Sequence, residues 1–236
     1  MDMGCLYNEM VVSVMNNDFQ LKTLALIGGS GGIGAELDSL LGGGYKILNL
    51  SSRDLNLTDV NSLTQFFSNN DIDIVINLSG YNFDCFLHKY DSTNFHEIDK
   101  QLDVVVKGSI NLLNACLPAM RGRGFGRIIM ASSVLVSQPL VGTAVYSASK
   151  AFVESLVQTC AIENCQKGIT VNAIQIGYFD AGLTHKIPDN VKEGILAGIP
   201  SKRWGAIAEL RNVVEMLITT EYVNGTTIKI NGGKAF

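Results

Sequence analysis

Tyr146-Ser147-Ala148-Ser149-Lys150 sets a phenol and a primary amine four positions apart. The residues after it, Ala151, Phe152, Val153, Leu156 and Val157, keep a helical apolar period. On a helix, positions i and i+4 share a face, so the two groups point the same way. A cation beside a phenol favours the phenolate, so the spacing predicts a lowered pKa for Tyr146. That would make a proton donor and acceptor usable closer to neutral pH. Only Tyr146 of the seven tyrosines has a lysine four positions on. Such a pair also arises by chance. Context comes from Ser133, thirteen residues upstream at the end of an apolar run, and from a glycine-rich turn near the N-terminus.

The elements that must position these groups follow from hydrophobic patterning. Thr23–Ile27 is an apolar β run, and Gly28-Gly29-Ser30-Gly31-Gly32-Ile33-Gly34 follows at once. A helix then places Ile33, Leu37, Leu40 and Leu41 on one side. Strand, glycine turn and helix form the context of a dinucleotide site. Glycines let backbone amides approach a pyrophosphate at the helix N-terminus, where the macrodipole favours anions.

A second strand, Lys46–Leu50, ends in Ser51-Ser52-Arg53. Hydroxyls and a guanidinium suit a ribose 2′-phosphate better than a free hydroxyl, which favours NADP(H) over NAD(H). Asp54 follows immediately and keeps NAD(H) open. A further strand is expected near Leu55–Leu57, and Thr58 or Asp59 can cap a helix through Phe67. Ile72–Asn77 reads as a buried strand ended by Asn77-Leu78-Ser79-Gly80.

From Ser92 to about Met120 runs a long helical pattern that Pro118 should kink or end. Arg127–Ala131 is a strand leading to Ser132 and Ser133, and Thr170–Ile176 is another beyond the Tyr146 helix. Gly177–Trp204 reads as a lid or binding loop. A short helix (Val213–Ile218), a strand (Thr227–Ile230) and a Gly232-Gly233 turn close the chain. Alternating strands and helices predict an α/β fold, one doubly wound Rossmann-like domain over 22–236 with helices on both faces of a mainly parallel sheet. Residues 1–21 form an extension of unknown role, in which Met10–Met15 could be a short strand or a helix turn.

Composition narrows the function classes. The 236 residues are 47% hydrophobic with a net charge of −4, which argues against a nucleic-acid surface. Cys5, Cys85, Cys116, Cys160 and Cys165 have no zinc-like spacing and no Cys-x-x-Cys. His88, His96 and His185 have no metal-like spacing either, so no metal is expected. The odd cysteine count without a secretory leader implies a cytoplasmic protein. No apolar run is long enough to span a bilayer.

Taken together, these motifs resemble those of the short-chain dehydrogenase/reductase family over about residues 22–233. The family's glycine fingerprint appears as Ile27-Gly28-Gly29-Ser30-Gly31-Gly32-Ile33-Gly34, its Asn-Asn-Ala-Gly as Asn77-Leu78-Ser79-Gly80, its catalytic serine as Ser133 and its Tyr-x-x-x-Lys as Tyr146 and Lys150. The resemblance implies a seven-stranded sheet and NAD(P)(H)-dependent interconversion of a ketone and a secondary alcohol. In that reading Ser133 holds the carbonyl, Tyr146 exchanges the proton, and Lys150 lowers the Tyr146 pKa and binds the nicotinamide ribose. It puts Gly28, Ser30, Gly31, Gly32, Ile33 and Gly34 along the cofactor phosphates and Ser51, Ser52 and Arg53 at its 2′ position. Asn56 and Leu57 fall at the adenine, and Asn77, Ser79, Gly80 and Gly177 toward the nicotinamide.

Gln138, Tyr178, Phe179 and Leu183 are candidate substrate contacts. A 3-oxoacyl thioester on a carrier, a keto-sugar or a secondary-metabolite ketone would each suit as substrate. The short link between the second and third strands is similar to that of sugar-nucleotide ketoreductases. Ile27 replaces the fingerprint threonine, Val105 stands where the family has an asparagine in its proton relay, and Ile176 replaces a proline. These departures keep open a non-catalytic dinucleotide-binding scaffold or redox sensor. The resemblance also implies a homodimer or homotetramer paired through the long helix and the Tyr146 helix.

Overall fold

The computed structural model describes residues 21–234, apart from the side chains of Leu183, Lys186 and Asn190. Met10–Met15 therefore lies outside the described residues.

Six strands form one parallel sheet: β1 (Thr23–Ile27), β2 (Lys46–Leu50), β3 (Ile74–Asn77), β4 (Gly126–Ser133), β5 (Ile169–Ile176) and β6 (Thr227–Ile230), in the order β2-β1-β3-β4-β5-β6. The central strands β3, β4 and β5 are almost wholly buried, as expected of strands covered on both faces. The helices are α1 (Gly32–Leu41), α2 (Val60–Asn69), α3 (Phe95–Leu102), α4 (Gly108–Arg123), α5 (Ala144–Asn164), α6 (Asp189–Ala197) and α7 (Ile207–Thr219). One face of the sheet packs on α2, α4 and α5 through Leu63, Leu112, Val153 and Val157. The other packs on α1 and α7 through Leu37, Leu41, Leu210 and Val214.

The expected strand at Leu55–Leu57 does not form, and the sheet has six described strands rather than seven. Leu55 and Leu57 are buried on alternate positions, which imitates a strand. Their backbone is committed to turns instead: the amides of Asp54 and Leu55 both donate to the Ser51 carbonyl, and that of Asp59 donates to Asn56. The chain then enters α2 directly, capped by Asp59, whose carboxylate accepts from the Ser62 amide at 3.1 Å.

The long helical pattern is real but carries a π turn, Asp103–Lys107, between α3 and α4. Pro118 does not end it. Pro118 and Asn114, the residue whose carbonyl the missing amide would have bonded, are both exposed, so water can satisfy that carbonyl. The helix runs on to Arg123 and stops at Gly124 in the left-handed region, with φ 69°. The segment expected as a loop, Gly177–Trp204, contains a tight turn over Gly182–Lys186 and the helix α6.

Candidate active site

In an open parallel sheet, ligands bind beyond the carboxyl ends of the strands where the strand order reverses. Here that point lies between β1 and β3, because the chain steps from β1 to β2 on one side and returns to β3 on the other. The register puts Ile27, Leu50 and Asn77 level there, so the glycine turn, Ser51 and the Asn77-Gly80 corner converge. β4 extends further and carries Ser133 to the same end.

The glycine turn depends on its lack of side chains. Gly28 has φ +78°, and a Cβ there would lie 2.8 Å from the Ser79 amide nitrogen. A Cβ on Gly34 would lie 2.6 Å from the Gly28 carbonyl oxygen, so α1 could not sit against the turn. Gly31 caps α1 without a side-chain hydrogen bond, which leaves the first amides of the helix to an anion. This cradle fits a dinucleotide pyrophosphate. Gly32 faces another way: its missing Cβ points at Gly182, 2.3 Å from that Cα, so the turn after β5 rests on it. Asn49 braces the turn from below, donating to Asp38 at 2.7 Å and to the Gly29 carbonyl at 3.3 Å.

At the end of β2, Asp54 closes a turn on Ser51. Its carboxylate accepts from the Ser51 amide at 2.9 Å and from the Ser51 hydroxyl at 2.5 Å. Those bonds hold its pKa below the ordinary carboxylate value. Ser52 and Arg53 are exposed beside it. Asn56 is exposed, and its side chain accepts from the Thr58 amide and hydroxyl. Leu57 is buried against Gly108, and its carbonyl accepts from the Asn111 side-chain amide at 3.0 Å. Asn77 accepts from the amide and hydroxyl of Ser79 and fixes the corner. Gly80 opens over Lys150: its missing Cβ would lie 3.6 Å from Nζ.

Ser133 and Tyr146 come together: the Ser133 hydroxyl is near enough to the phenol to act against the rise in its pKa. Lys150 is 4% exposed, and its Nζ donates to the Ala131 carbonyl at 2.8 Å. That nitrogen lies 5.9 Å from the Tyr146 ring centroid.

The expectation of a lowered Tyr146 pKa fails in this structure. Burial raises it, with the Asp84 charge adding to the rise and the Ser133 hydrogen bond opposing it. The physical reason is that Lys150 is turned to a main-chain carbonyl and is itself desolvated, which pulls its pKa down to about 8.

Val105 belongs to the core, 3% exposed in the layer under α2, α4 and α5. Its carbonyl, the remaining polar group at that position, accepts from the Ser109 hydroxyl at 2.6 Å.

The candidate substrate contacts separate. Tyr178 is half-buried, edge-on to Trp204, with Lys234 Nζ 5.6 Å from its ring centroid on the C-terminal segment. Phe179 is 2% exposed and fills the core with α1 and α7. Gln138 follows the turn after Ser133, its backbone amide donating to the Val134 carbonyl. The Leu183 side chain lies outside the described residues. Gly177 packs on Asn231 of the segment after β6.

Sequence reading passed over Ser132, Glu154 and Gln175, which form a hydrogen-bonded group under the site. A signal was present, because Glu154 continues the four-residue ladder of Tyr146 and Lys150. Asp84, whose charge reaches Tyr146, gave none, because a loop brings it there. Among the described residues no group of three or more His, Cys, Asp and Glu could hold a metal ion. No described helix is long and apolar enough to cross a membrane.

A glycine cradle for a pyrophosphate and a serine-phenol pair above a buried lysine define a dinucleotide-dependent oxidoreductase acting on a carbonyl or alcohol. Comparison with known proteins agrees. Residues 54–235 match a family profile described as enoyl-(acyl carrier protein) reductase. The chain is 27% identical over 241 residues to the 3-oxoacyl-acyl-carrier-protein reductase FabG of Salmonella typhimurium, covering 91% of this chain and 98% of that one. It is 34% identical over 168 residues to the acetoacetyl-CoA reductase of Shinella zoogloeoides, covering 70% of this chain and 68% of that one. To the FabG of Staphylococcus epidermidis it is 33% identical over 164 residues, 69% of this chain and 66% of the relative. The chain belongs to the short-chain dehydrogenase/reductase family, NAD(P)-dependent oxidoreductases acting on a carbonyl or alcohol.

Proposed function

We propose that this protein is an NADPH-dependent ketoreductase acting on a 3-oxoacyl thioester. The observation that carries the reading is the convergence of Ser133, Tyr146 and the buried Lys150 beside Gly80: the Ser133 hydroxyl acts on the phenol, and the Lys150 Nζ lies 5.9 Å from the Tyr146 ring centroid. Bound NADPH supplies the hydride that reaches the carbonyl carbon. Ser133 donates a hydrogen bond to the carbonyl oxygen and orients it. Tyr146 gives its proton to that oxygen as the alcohol forms. Lys150, the buried cation beside Gly80, would hold the nicotinamide ribose when the cofactor is bound.

Asp54 is spent on its turn, and the exposed Arg53 is the group suited to a 2′-phosphate. The thioester class rests on the names of the relatives, two acting on 3-oxoacyl carrier protein and one on acetoacetyl-CoA. Val105 favours a second reading, a dinucleotide-binding scaffold, because valine removes a polar side chain from the relay.

The first test is NADPH consumption with an acetoacetyl thioester. Turnover supports the enzyme; cofactor binding with no turnover on thioesters, keto-sugars or simple ketones supports the scaffold. Calorimetry on Arg53→Ala checks the cofactor. NADPH affinity should fall about tenfold or more while NADH affinity holds. Equal losses for both would reject the assignment.

An apolar groove of about 410 Å³ lies between α3, the π turn and α5, lined by Leu87, Leu102, Val106, Val145, Ala148 and Phe152. Leu87 and Leu102 are exposed. A second copy of the chain covering this face is the proposed partner.

A further inference from the structure

Beneath the serine-phenol pair lies a polar group that the proposed chemistry does not use. Glu154 sits one turn below Lys150 on α5. One of its carboxylate oxygens, Oε1, accepts two hydrogen bonds. One comes from the hydroxyl of Ser132 and the other from the Gln175 amide at 3.0 Å. Gln175 in turn accepts from the Ser137 hydroxyl at 2.8 Å. Ser132 and Gln175 are 4% and 1% exposed, so their polar atoms need these partners.

The arrangement brackets Ser133. Ser132 precedes it on β4. Ser137 ends the tight turn that Ser133 begins, with the Leu135 amide donating to the Ser133 hydroxyl at 3.2 Å. Both flanks of Ser133 are therefore tied to one carboxylate, and that carboxylate rides on the helix carrying Tyr146 and Lys150. The apolar packing of α5 through Val153 and Val157 holds the helix on the sheet, and the Lys150 ammonium ties it to the Ala131 carbonyl of β4. Glu154 adds directional bonds to both β4 and β5, next to Ser133.

We propose that Glu154 is a positioning residue that fixes the Ser133–Tyr146 distance through Ser132 on one side and Gln175–Ser137 on the other. The consequence for turnover rests on the ketoreductase reading; the positioning itself does not.

The test separates the two. Protein carrying tyrosine labelled with carbon-13 at Cζ reports the environment of the Tyr146 phenol, and Tyr146→Phe identifies its resonance. The inference expects the Tyr146 signal to move in Glu154→Leu and in Ser132→Ala and to return toward wild type in Glu154→Gln, which keeps an acceptor. With the acetoacetyl thioester, kcat should fall about tenfold in the first two while KM and NADPH affinity stay within about twofold. A Tyr146 signal in folded Glu154→Leu or Ser132→Ala that coincides with wild type overturns the inference, whatever the activity. So does a shift that Glu154→Gln leaves uncorrected. If the signal moves as expected while wild type reduces no carbonyl compound, the positioning stands and the proposed function fails.

Discussion

At the residue scale, Lys150 shows how burial can reverse an expectation drawn from spacing. The four-residue separation correctly put Tyr146 and Lys150 on one helix, but spacing says nothing of depth. Fully buried against the Ala131 carbonyl, Lys150 is depressed to about 8, while the unfolded chain keeps the ordinary value of 10.5. Between these two values the unfolded state binds the proton more tightly, so stability rises with pH across that window. Below about pH 8 both states are charged and the desolvation cost is fully present. Lys150→Met has no such group. Its advantage over wild type in urea midpoints should be largest near pH 7.5 and shrink toward pH 10, by roughly 3 kcal/mol at most. A difference constant across that range would show that Lys150 is not desolvated. Glu154 was legible by the same ladder that exposed Tyr146 and Lys150, but its partners Ser132 and Gln175 come from two strands that only the fold brings together.

At the scale of elements, the strand at Thr23–Ile27, the glycine turn and the capped helix at Asp59 were all readable, because each depends on local chemistry: period, φ and a capping oxygen. The missing strand at Leu55–Leu57 was not. Its alternation imitates a strand, while the bonds that forbid one run to the Ser51 carbonyl. Pro118 does not end its helix, since a helix tolerates proline where the orphaned carbonyl meets water. The turn itself can be tested with two glycines on helices. Gly34→Ala places a Cβ 2.6 Å from the Gly28 carbonyl oxygen and should cost about 1–3 kcal/mol and abolish NADPH binding. Gly122→Ala, with nothing within 4 Å, should raise stability by roughly 0.5–1 kcal/mol and leave binding intact. Thermal melts and calorimetry on the pair distinguish a crowded turn from a general intolerance of alanine.

For the whole molecule, the two-faced parallel sheet was foreseeable from alternating elements, and the site falls where such a sheet reverses its strand order. Assembly is the property on which sequence says least, because apolar positions on α3 and α5 serve a core and an interface alike. The exposed leucines at the groove, Leu87 and Leu102, give the proposed pairing its place to be tested. Light scattering should give a dimer or tetramer for wild type and a smaller mass for Leu102→Glu, which puts a charge into the groove. A wild-type monomer would remove the second copy from the account.

The central claim, that Tyr146 delivers the proton during NADPH-dependent carbonyl reduction, is tested most directly by following NADPH consumption with an acetoacetyl thioester in wild type and Tyr146→Phe, alongside NADPH calorimetry on both. The account predicts turnover in wild type, a fall of about a thousandfold or more in the variant, and nearly equal cofactor affinity in the two. A variant that binds NADPH normally and reduces the substrate as fast as wild type would contradict it.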